Sequence, residues 1–72
     1  MRAMLEEILY MVMDDGVLRT VHGLSLAVNR HLDSCEVPVG EVRAVLREMY
    51  GFGKVVCEVE PITYVVRYGL PS

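Results

Sequence analysis

The feature that most limits how this chain folds is a change of hydrophobic period around Gly51, Phe52 and Gly53. Before these residues apolar side chains recur every three or four positions; after them they alternate. Helices followed by a short antiparallel sheet satisfy both patterns, so the expected class is α+β.

The spacing predicts helix one over 2–13, with Met4, Leu5, Ile8, Met11 and Val12 facing the core and Glu6 and Glu7 on the other side. Leu9 and Met13 fall outside that stripe and Tyr10 lies further round. Asp14, Asp15 and Gly16 end the helix, because carboxylates oppose its negative end and glycine tolerates the turn. Val17 to Arg19 reads as a short extended piece, and the Thr20 hydroxyl is placed to cap helix two, expected over 21–32. Leu24, Ala27, Val28 and Leu32 share one face of that helix, with Asn29, Arg30 and Asp33 outward.

Asp33 to Pro38 reads as a turn, since the residue before a proline is pushed to extended geometry while proline fits a first helical turn. Helix three is expected over 39–50, with Val42, Val45, Leu46 and Met49 inward. In the alternating region Val55, Cys57 and Val59 oppose Val56, Glu58 and Glu60, and Tyr64, Val66 and Tyr68 oppose Val65 and Arg67. With a turn near Pro61 this predicts a β-hairpin over about 54–68.

The stretch VPVGEVRAVLREMYGFGKVV, Val37 to Val56, resembles the turn, third helix and first wing strand of the winged helix-turn-helix superfamily. Leu26, Ala27 and Leu32 stand where that superfamily has helix-two core residues. The resemblance spans roughly Met4 to Tyr68 and rests on apolar and glycine positions. It implies a single winged-helix domain over 1–72, with three helices, a hairpin wing and DNA as the ligand of helix three.

The outward face of helix three is centred on Gly40, Ala44 and Arg47, flanked by Arg43 on one side and Glu41 and Glu48 on the other. Small residues there permit close approach to a groove floor, and arginine reaches guanine edges or phosphates. Arg30 and Lys54 complete the candidate DNA contacts. Against this, the net charge is −3, and from Pro38 to Arg67 four basic residues (Arg43, Arg47, Lys54, Arg67) balance four acidic ones (Glu41, Glu48, Glu58, Glu60). The wing turn, Glu60 to Thr63, carries no lysine or arginine. Two readings therefore stand: a small DNA-binding transcriptional regulator, and a winged-helix module that docks a protein partner within a larger assembly.

Leu9, Tyr10 and Met13 broaden the apolar surface of helix one, and a domain of 72 residues buries only about 60% of its unfolded surface. These three are the candidate homodimer interface, which would let two copies bind adjacent half-sites.

Other chemistries find little support. His22, His31, Cys35 and Cys57 lack the paired spacing of a zinc site, and no nucleophile elbow or phosphate-binding glycine loop occurs, so neither cofactor nor catalysis is expected. No apolar run is long enough to span a bilayer and no cleavable leader is evident, so a cytoplasmic protein with free thiols is the expectation. Gln is absent and Arg outnumbers Lys six to one, a bias that fits heat-adapted proteins.

Overall fold

A computed structural model describes residues 2–33 and 37–71 of the chain. Among them the order is α1 (Arg2–Met13), β1 (Arg19–Thr20), α2 (Val21–Leu32), α3 (Val39–Gly51), β2 (Val56–Val59) and β3 (Val66–Gly69). The three strands form one antiparallel sheet in the order β1-β3-β2, so the extended piece between the first two helices is its third strand. Arg19 stands opposite Tyr68, and Cys57 stands opposite the same Tyr68 from the other edge. Cys35 lies outside the described residues.

The helix ends carry their own chemistry. Thr20 takes an extended conformation and its Oγ1 accepts the Gly23 N–H at 3.1 Å, satisfying an orphan donor of α2. At the end of α3 the Gly53 N–H donates to the Tyr50 carbonyl at 3.0 Å and the Lys54 N–H to that of Met49 at 2.9 Å. This is a Schellman closure, and it needs the left-handed Gly53, whose φ is 73°.

The three helices pack against one another, and α2 also meets β1 and β3. Leu5, Ile8, Leu9, Met13, Leu24, Val28, Val42, Val45, Leu46, Met49, Val55 and Tyr68 make up the buried apolar core. Gly69 ends β3 beside Leu18, and a β-carbon at this position would collide with Leu18 Cδ2.

Several expectations about facing are corrected. The buried sector of α1 is Leu5, Ile8, Leu9 and Met13, while Met4 and Met11 are 57% and 60% exposed. Contact with both α2 and α3 rotates the inner face toward Leu9, away from the stripe that pairs Met4 with Met11. Leu26 is exposed rather than part of the core, and the inward position beside it belongs to Ser25. Asn29 is half-buried and hydrogen-bonded toward α3 instead of facing water. Tyr64 is not in a strand: it has a left-handed φ of 57° in the hairpin turn, where its N–H donates to the Glu60 carbonyl at 2.8 Å. Along β2 the inner face also ends at Cys57, which packs half-buried against the core, whereas Val59 is exposed.

Candidate nucleic-acid interface

The outward face of α3 follows from its inward one. Val42, Val45, Leu46 and Met49 are buried, which turns Gly40, Arg43, Arg47 and Glu48 to solvent with Ala44 half-buried between them. Space beside Gly40 is open to at least 4 Å around the position a β-carbon would take. Arg43 and Arg47 are four residues apart, hence neighbours on one side of the helix. Among the described residues neither makes a hydrogen bond or ion pair through its side chain.

The sheet lies within electrostatic reach of this pair. Burial raises the Tyr68 phenol above its ordinary pKa, and the nearby Cys57 adds to the rise, whereas Arg47 and Arg43 act in the opposite sense.

Three other basic residues are already engaged. Arg19 Nη1 donates to Asp15 Oδ1 at 2.9 Å and to the Val12 carbonyl at 3.2 Å, and its Nη2 holds Asp15 Oδ2. Hydrogen bonds from Arg19 and from the Val17 N–H pull the Asp15 carboxyl down to about 2. Lys54 Nζ donates to Glu6 Oε1 at 2.7 Å, bridging the end of α3 to α1, and lies 5.7 Å from the centre of the Phe52 ring. That hydrogen bond raises the Lys54 pKa, consistent with a cation held by its partner. Arg67 pairs with Glu60 at 3.9 Å across the hairpin.

The expected DNA contacts thus do not form one patch. Gly40, Arg43, Ala44 and Arg47 share the α3 face; Lys54 is committed to Glu6; Arg30 lies apart, on an open groove with Met11, Val12, Ala27 and His31 between α1 and α2. The expected dimer surface is corrected too. Leu9 and Met13 are 0% exposed and Tyr10 packs half-buried against the core, so the first two offer nothing to a partner.

What the sequence reading overlooked is the apolar tip of the hairpin. Ile62 and Tyr64 are 84% and 76% exposed, and Phe52 and Tyr50 are exposed at the end of α3. The signal is Pro61-Ile62-Thr63-Tyr64 itself, which alternation splits by placing Tyr64 in a strand. Among the described residues no three His, Cys, Asp or Glu side chains gather as a metal site, and no helix is long and apolar enough to cross a membrane. No protein-family model, curated protein or solved structure matches the chain.

Proposed function

We propose that this chain is a winged helix-turn-helix that binds double-stranded DNA, laying the Gly40, Arg43, Ala44, Arg47 face of α3 in the major groove, as a transcriptional regulator would. The observation that carries this reading is the contrast among its cations. Arg19, Lys54 and Arg67 are paired with carboxylates, while Arg43 and Arg47 stand exposed and unpaired on one helix face. Unpaired guanidinium groups with small neighbours suit phosphate and guanine contacts. The three helices and three-stranded sheet are compatible with a winged helix, in which β2 and β3 form the wing.

A second reading is a winged-helix module that docks a protein. Its support is the wing tip, where Ile62 and Tyr64 project without any cation to meet phosphate. Exposed apolar residues of this kind mark protein contacts more often than DNA contacts.

Fluorescence anisotropy of a labelled mixed-sequence duplex at about 50 mM and about 200 mM salt separates the two. The DNA reading expects binding that weakens with salt and drops when Arg43 and Arg47 are both changed to Ala. Absence of binding at the lower salt, or binding indifferent to the double substitution, transfers the weight to the protein-docking reading.

A further inference from the structure

We infer that the groove between α1 and α2 binds a small amphipathic carboxylate, a molecule with one anionic head and an alkyl or aryl body. The groove has a volume of about 380 Å³ and is lined by Met11 and Val12 of α1 and by Ala27, Arg30 and His31 of α2. That volume lies toward the lower end of the roughly 300–1,000 Å³ of small-ligand sites. Ala27, Arg30 and His31 are spaced i, i+3, i+4, so one turn of α2 presents a methyl group and two basic side chains to the same space. Met11, which is 60% exposed, and the half-buried Val12 and Ala27 supply the apolar part.

Charge identifies the head of the occupant. Arg30 and His31 are both exposed, and among the described residues neither makes a hydrogen bond or ion pair through its side chain. The lining contains no acid. Asp14 and Asp33, the acids nearest to it in sequence, pair with neither basic residue. A guanidinium takes a carboxylate through two parallel N–H bonds, and the adjacent imidazole adds a further donor. The Val12 carbonyl, an acceptor that would suit a donor-bearing guest, already accepts Arg19 Nη1 at 3.2 Å. The apolar residues identify the rest of the molecule. A bare inorganic anion or a phosphate would leave Met11, Val12 and Ala27 in water, whereas an alkyl or aryl body covers them and gains the free energy of that burial. This groove is separate from the α3 face, and its ligand is independent of the DNA reading.

The test is a titration of the ¹⁵N-labelled full chain at about pH 7 with octanoate, octylammonium and acetate, followed through the backbone amide shifts. Octanoate is expected to shift Met11, Val12, Ala27, Arg30 and His31 saturably, with a Kd of about 1 mM or tighter. Octylammonium, which lacks the anionic head, and acetate, which lacks the body, should each bind at least about tenfold more weakly. Arg30→Glu should raise the octanoate Kd at least about fivefold and reverse the preference toward octylammonium. Met11→Asp should weaken octanoate by a similar factor. Both positions are exposed, and far-UV circular dichroism checks that each variant remains folded. Shifts that do not saturate by about 10 mM overturn the proposal. So do equal affinity for octylammonium, indifference to Arg30→Glu, or saturable shifts centred on another part of the fold.

Discussion

Asn29 and Val37 exchange two hydrogen bonds, Val37 N–H to Asn29 Oδ1 at 2.6 Å and Asn29 Nδ2 to the Val37 carbonyl at 3.2 Å, fastening α2 to the segment that enters α3. The same amide nitrogen donates to the Ser25 carbonyl at 3.0 Å. The orientation of α3, and with it the direction of Arg43 and Arg47, depends on this clasp. Asn29→Ala removes all three bonds and is expected to cost about 1–3 kcal/mol in urea unfolding. Asn29→Asp should cost a similar amount, because a carboxylate keeps the acceptor but faces two carbonyls without a donor. Losses below about 0.5 kcal/mol in both variants would show that the clasp does not secure the junction.

Leu9→Ala and Met13→Ala each empty a fully buried site and should destabilise by about 2–5 kcal/mol. Ile62→Ala, at the exposed hairpin tip, should change stability by less than about 0.5 kcal/mol. Denaturant midpoints at constant m-value provide the comparison. The reverse ranking would mean that α1 turns a different face inward.

The Asp15–Arg19 pair makes stability depend on acid. Asp15 titrates near 3.8 when unpaired and at about 2 when folded, so its contribution is complete above the unfolded value and is lost as pH falls through the folded one. Asp15→Asn should therefore melt at a lower temperature than the parent at about pH 7, with the gap narrowing from about pH 4 downward and closing below about pH 2. Melting curves across that range read the effect. A gap that stays constant with pH would place it outside this ionisation.

Tyr64 holds a φ of 57° while most of its side chain is in water. A non-glycine residue in this region bears about 1–2 kcal/mol of backbone strain, and glycine relieves it at some entropic cost. Tyr64→Gly should leave stability unchanged or raise it by up to about 1 kcal/mol. A substantial loss on chemical denaturation would show that the tyrosine ring packs on the hairpin.

If Arg43 and Arg47 contact phosphate, each substitution by Ala should reduce the slope of log affinity against log salt by about one. Lys54→Ala should leave that slope nearly unchanged, because Lys54 already faces Glu6. Anisotropy titrations at several salt concentrations measure both, and an equal effect from all three would mean that Lys54 abandons Glu6 on binding.

Periodicity and local chemistry determined the helix ranges, to within a residue, and the α+β class. Thr20 caps α2 and Gly53 closes α3 through contacts a few residues long, so short windows of sequence contain their causes. The arrangement of Gly40, Arg43, Ala44 and Arg47 on one outward face was legible for the same reason: the buried side of α3 is a single clear stripe. On α1 apolar residues occupy most of the circumference, and several stripes compete. Only packing against α2 and α3 decided that Leu9 and Met13 go inside and that Met4 and Met11 stay out. Tertiary contact likewise turned Asn29 toward Val37 and brought Lys54 to Glu6 across 48 positions of chain. Which cations remain free for a ligand is thus a property of the assembled surface, since ion pairing depends on distances in space that separation along the chain does not encode.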